Sequence, residues 1–276
     1  MCTRLHAIGF PCEMDRRTAE FVRRTAISTK RRVISNDGEY RIWRSPAGAE
    51  VWLHYPKRRP TLRTGTAKPD RSEPPKPFDP IDDLMGLSGA HAGASDVRMK
   101  LTRSLRIAAG NPLEGVCVAM LGSRRANEKP IAFSFEHVGF AAERLGAPIE
   151  ARVQLTGLAQ KIWAYRTEAA YLAATPAHRL IGRGAMVDVN VNERADLVLT
   201  YRPKPGCLWL VTGEVKRSVR LVNPVTSAPY YWLQLQTDRG DIDVVASPSV
   251  IDGDVSVGHT VQTVVSMAGR ILERMG

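Results

Sequence analysis

Apolar and polar residues alternate with period two in segment after segment of this chain, and turn residues break each run. That pattern demands strands with one face buried, and it restricts the fold more than any other feature. The rear shows it best. Leu208 to Val222 reads as one long strand bent near Gly213. Tyr231, Leu233 and Leu235 alternate with Trp232, Gln234 and Gln236, and Asp238-Arg239-Gly240 is a hairpin turn. Ile242, Val244 and Ala246 continue the next strand, and Val261 to Ile271 is the last. About five strands in so short a stretch, with a long bent first strand, fit a small closed barrel. Closure also removes the edges such strands would expose.

The front is mixed. Leu5 to Phe10 reads as a short apolar strand ended by Gly9 and Pro11. Residues 15–32 read as an amphipathic helix, with Asp15 as N-cap and Phe21, Val22, Ala26 and Ile27 as its apolar stripe. Strands around Tyr40 to Arg44 and Glu50 to Tyr55, joined by Ser45-Pro46-Ala47-Gly48, form a hairpin. Seven prolines from Pro56 to Pro80 interrupt any ladder, so residues 56–96 read as a Pro-rich basic loop or linker. Strand patterning returns at Val97 to Leu105, 115–121, 131–135 and Ile149 to Tyr165, with a short helix over 167–175. The expected fold class is α+β, predominantly β. Its expected parts are a strand–helix–hairpin module over 1–55, the loop over 56–96, a β-rich centre over 97–206 and a barrel over 207–276.

Charge is distributed unevenly along these parts. The 276 residues carry a formal net charge of +11. Residues 1–80 hold 17 Lys or Arg against 9 Asp or Glu, so 17 − 9 = +8 of that total. Residues 213–270 hold 5 basic and 6 acidic residues, so 5 − 6 = −1. Arg16, Arg23 and Lys30 recur every seven residues, and Arg17, Arg24 and Arg31 do so one step on, which returns each set to one helix face. With Arg32 and with Lys57, Arg58, Arg59 and Arg63 of the loop, they are the candidate phosphate contacts. Tyr230 and Trp232 share a strand face and are the candidate stacking residues for bases.

Gly213-Glu214-Val215, Asn223-Pro224, Tyr231-Trp232, Thr237 to Gly240, Asp243-Val244-Val245, Gly258 and Gly269 together resemble an OB-like barrel. The segment is similar to the C-terminal module of a family of uncharacterised bacterial proteins, whose front module is matched here by Gly9 to Pro11 and Gly48 to Leu53. That resemblance implies an OB-like C-terminal barrel and brings no activity and no catalytic residues. The front is also similar to one module of the glyoxalase-like superfamily, which would place a divalent metal near His6 and Glu50. A second paired module is not found, and three protein ligands are the usual minimum for a catalytic zinc.

The chemistry-bearing motifs are otherwise missing from the sequence. It has no Walker loop, no Gly-x-Ser-x-Gly, no His-Glu-x-x-His and no CxxC among Cys2, Cys12, Cys117 and Cys207. No catalytic residue, metal site or cofactor is therefore expected. No apolar run reaches the ~20 residues of a membrane span, and the N-terminus lacks a secretory pattern, so the cytoplasm is the expected compartment. Three readings of function follow, in order. The first is a non-enzymatic binding or assembly protein acting through an unknown protein partner. The alternative is a nucleic-acid-binding protein using the basic N-terminal helix and loop. The third is a metal-dependent glyoxalase-like enzyme.

Overall fold

The computed structural model describes residues 2–11, 14–34, 38–56, 78–106, 114–122, 130–138, 148–174, 186–188 and 208–275. The observed class is α+β and predominantly β, with three short α-helices against fourteen strands among the described residues.

The front begins with a helix. Leu5 to Phe10 is not a strand: α1 spans Cys2–Ala7, and Ile8 and Phe10 both donate backbone N–H bonds to the Leu5 carbonyl. Leu5 and Ile8 are three apart, so one helical turn buries both. The turn ends at Gly9, whose φ of +83° suits only a residue without Cβ. Helix α2 (Arg16–Ser28) starts where its pattern predicts but ends four residues short of the expected 32, because Thr29 caps it and the chain turns into β1. Lys30, Arg31 and Arg32 therefore lie beyond the helix, and Ile27, expected in the apolar stripe, is exposed. The Asp15 carboxylate accepts from Thr18 N at 2.7 Å, and Thr18, Phe21, Val22, Thr25 and Ala26 form the buried stripe. The bond from the Thr18 backbone N–H, with the Thr18 hydroxyl beside it, holds the Asp15 carboxyl below the usual range.

Strands β1 (Arg32–Ile34), β2 (Gly38–Arg44), β3 (Ala49–Pro56) and β4 (Gly86–His91) form an antiparallel sheet in that order. The β2–β3 hairpin turns at Ser45–Gly48, with Gly48 at φ +91°. Strand β4 corrects the reading of 56–96 as loop throughout. It is buried along its length, and a Cβ on Gly89 would lie 2.8 Å from the Arg4 carbonyl oxygen. Gly89 lets the α1 backbone lie directly on the strand, a purpose indistinguishable in sequence from that of a flexible loop.

The remaining strands form one mixed sheet: β5 (Val97–Arg106), β6 (Glu114–Leu121), β7 (Ile131–Val138), β8 (Ile149–Tyr165), β9 (Met186–Asp188), β10 (Leu208–Val222), β11 (Pro229–Thr237), β12 (Gly240–Ala246), β13 (Ile251–Asp252) and β14 (Thr260–Met275). The short helix α3 (Glu168–Ala173) follows β8, capped by Thr167. The sheet closes twice. One ring runs β5, β6, β7, β14, β8 and back to β5; the other runs β10, β11, β12, β8, β14 and back to β10. The barrel strands of the rear segment therefore close only with β8, which lies before residue 207.

The two rings are copies of one plan. Each is a three-strand meander followed by a long strand that crosses into the other ring. The first strand of each meander carries a register shift, and one contact in each ring is parallel. Residue n of β8 occupies the place of residue n + 112 in β14. Thr156 faces Ala268 on the pseudo-twofold axis, Gly157 matches Gly269, and the bulged Gln160 matches the bulged Leu272. Asp243 on β12 pairs with Thr156 as Glu136 on β7 pairs with Ala268. The front sheet caps this axis: Leu158, Tyr230, Val245 and Ala268 pack in one cluster with Leu5, Ile8, Tyr40 and Leu53.

Candidate anion-binding cleft

The end of α2 carries the basic run into the sheet. Thr29 caps the helix, and its hydroxyl donates to the Ile42 carbonyl at 2.8 Å. The Arg31 carbonyl accepts from Ile42 N at 3.0 Å, and Arg32 Nε donates to the Thr29 carbonyl. These bonds pin Lys30-Arg31-Arg32 alongside β2. There they line one cleft of about 430 Å³ with Val33, Ile42, Arg44, Glu50, Trp52 and Arg270. Five cations thus face one carboxylate.

That carboxylate is fully buried. Glu50 accepts from Arg44 Nε through one oxygen, and from Arg270 Nη2 and Trp52 Nε1 through the other. Arg32 pairs more loosely with Glu39 at 3.6 Å. Lys30 and Arg31 are exposed and have no acidic partner among the described residues. Arg270 reaches the cleft from β14, so the front sheet and the double barrel share it.

The structure brings together only part of the predicted set. Arg31 and Arg32 line the cleft, whereas Arg16, Arg17, Arg23 and Arg24 are exposed elsewhere on α2. Arg17 borders a separate hollow with His6, Phe10 and Asp15. Lys57, Arg58, Arg59 and Arg63 lie outside the described residues. Arg44 and Arg270 are cleft residues that no sequence pattern singled out. An arginine set between Gly269 and Ile271 in β14 was the available signal for the second.

Tyr230 and Trp232 are placed against stacking. Tyr230 is fully buried, its hydroxyl donates to the Ala47 carbonyl at 3.4 Å, and burial pushes its pKa up to about 12. Trp232 is half-buried, with the Arg217 guanidinium 4.7 Å from its ring centroid and the His91 ring stacked at 6.0 Å. Its indole N–H donates to Asp243 at 2.9 Å. Both neighbours leave that indole little face for a base.

Around the axis lies a second polar group. Asp243 is fully buried and also accepts from Ser95 N at 2.8 Å. His91 borders a void of about 10 Å³ with Gln154, Thr156 and Arg270, and burial holds its pKa below the ordinary value. The void is no larger than one water needs. The residues of the glyoxalase-like reading are engaged apart: His6 meets the Ser249 hydroxyl at 3.2 Å, while Glu50 binds the arginines. Among the described residues no three His, Cys, Asp or Glu side chains could hold a metal ion, and no helix is long and apolar enough to cross a membrane.

Compared with known proteins, the chain matches no family model, no curated protein and no solved structure.

Proposed function

We propose that this chain is a non-enzymatic binding protein that takes the phosphate backbone of a nucleic acid into the α2–β1–β2–β14 cleft. The observation that carries this reading is the convergence of Lys30, Arg31, Arg32, Arg44 and Arg270 on one concavity lined by a single acid, Glu50, with Glu39 loosely paired to Arg32 beside it. Phosphate neutralisation by such a set releases counterions, so affinity depends steeply on salt. With Tyr230 buried and Trp232 flanked, contact is to backbone and carries little sequence preference. The test is fluorescence anisotropy with a labelled DNA or RNA oligomer at low ionic strength. Arg31→Glu with Arg32→Glu should weaken binding while the chain stays folded by circular dichroism. Absence of binding by the unaltered chain ends the reading.

A protein partner is the second reading, and a separate observation favours it. Ile27 on α2 and Ile34 on β1 are 70% and 76% exposed, the largest values among the exposed hydrophobic residues described. Scattering mass measurements on Ile27→Ser with Ile34→Ser test it for self-association: unchanged mass at all concentrations removes a second copy of this chain from consideration.

A further inference from the structure

The five cations of the cleft are not equivalent. Lys30 and Arg31 are exposed in the short connection between α2 and β1, and their contribution is charge without a fixed partner. Arg44 and Arg270 are held. Their side chains are 34% and 22% exposed, they come from β2 and β14, and both bind the same buried carboxylate. Glu50 engages Arg44 through Nε and Arg270 through Nη2. A guanidinium carries five N–H donors in a rigid plane. Both terminal nitrogens of Arg44, and Nε and Nη1 of Arg270, are left with no acceptor among the described residues. Glu50 cannot leave to solvent, since it is fully buried and also accepts the Trp52 indole N–H.

We infer that Arg44 and Arg270 form a preset fork for one phosphate oxyanion, with Glu50 as the positioning residue beneath it. Planar forks match phosphate oxygens in pairs, and a fork already fixed by a second anion gives up little side-chain entropy on binding. Lys30, Arg31 and Arg32 then attract the ligand, and the fork sets where one phosphate sits. This inference rests on the polyanion reading above and names the group that the cleft recognises.

Charge-conserving variants separate the fork from the general field. The probe is a labelled DNA duplex, read by anisotropy over a salt series, with inorganic phosphate as competitor. Arg44→Lys keeps the charge and loses the fork, and it should weaken binding roughly tenfold at unchanged salt slope. Arg270→Lys should do the same, and it serves if Arg44→Lys fails to fold by circular dichroism. Arg31→Lys should change affinity less than about twofold. Glu50→Gln raises the net charge of the cleft, so a bare field requires tighter binding, whereas a misaligned fork requires weaker binding. If the folded lysine variants bind like the unaltered chain, or Glu50→Gln binds more tightly, the fork is refuted while the polyanion reading stands. If the unaltered chain binds no duplex, both fall. Competition by inorganic phosphate alone at concentrations matching those of duplex phosphates would assign the fork to the free ion.

Discussion

Gly269→Ala is the sharpest perturbation of the interlocked rings. A Cβ at this position would lie 2.3 Å from Cδ2 and 2.5 Å from Cε2 of Phe135. Carbon pairs sit at about 3.5–4.0 Å, so the ring or the strand must give by more than about 1 Å. Phe135 has little room, being fully buried on β7 with the Phe133 ring 6.2 Å away. Overpacking of that kind costs roughly 1–3 kcal/mol. The loss of glycine's freedom in the unfolded chain offsets about 0.4–1 kcal/mol. The net is about 1–2 kcal/mol of destabilisation, or roughly 2–4 °C in Tm for a chain of this size. The assay is thermal unfolding followed by circular dichroism. Two internal comparisons sharpen it. Gly157→Ala, at the matching place in β8, meets Val265 at 2.8 Å and should cost less. Gly122→Ala meets nothing within 4 Å and should fall within about 0.5 kcal/mol of the unaltered protein. Phe135→Leu in the Gly269→Ala background should couple favourably, by about 1 kcal/mol relative to the sum of the single changes. If Gly269→Ala melts with the unaltered protein, β7 does not lie against β14 there, and the ring they close is not formed.

Other expectations concern the seam between the front sheet and the barrel. Burial lowers the pKa of His91 in the folded protein, so the folded state favours the neutral ring. The unfolded ring takes up its proton near the ordinary value of ~6.5, and the associated stability is complete above that pH and declines as pH falls below it. Denaturant midpoints should therefore drop between about pH 7 and pH 5, and His91→Gln should flatten the profile. Gly93→Ala places a Cβ 2.0 Å from Asp243 Oδ2, and the carboxylate must abandon Ser95 N or the Trp232 indole. Its tryptophan emission should shift and its Tm should fall, while an unchanged spectrum would contradict the buried network.

Local chemistry accounts for what was readable in the sequence. The Asp15 cap, the Ser45–Gly48 turn and the Thr237–Gly240 hairpin each act within a few residues and appear where their patterns put them, and Phe21, Val22 and Ala26 form the helix stripe without the expected Ile27, which is exposed. Long-range purposes were hidden. Gly89 resembles a loop residue until the backbone of α1 is seen lying against it. The doubled plan leaves little trace in residue identity, because matched positions such as Thr156 and Ala268, or Gln160 and Leu272, share a place and no chemistry. Gly157 with Gly269, Val153 with Val265, and the acids Glu136 and Asp243 preserve a sign of it. The cleft was half visible for the same reason. Arg31 and Arg32 are neighbours in sequence, whereas Arg270 joins them from a segment whose net charge is −1.

The most direct measurement of the account is the salt dependence of binding to a labelled DNA duplex. With five cleft cations, of which two are shared with Glu50, about three to four phosphates are neutralised, so log affinity should fall against log salt with a slope of roughly −3 to −4. Arg31→Glu with Arg32→Glu should flatten that slope by about two. A chain that leaves the duplex unbound at ~50 mM salt, or binds it with no dependence on salt, contradicts the claim that this cleft receives phosphates.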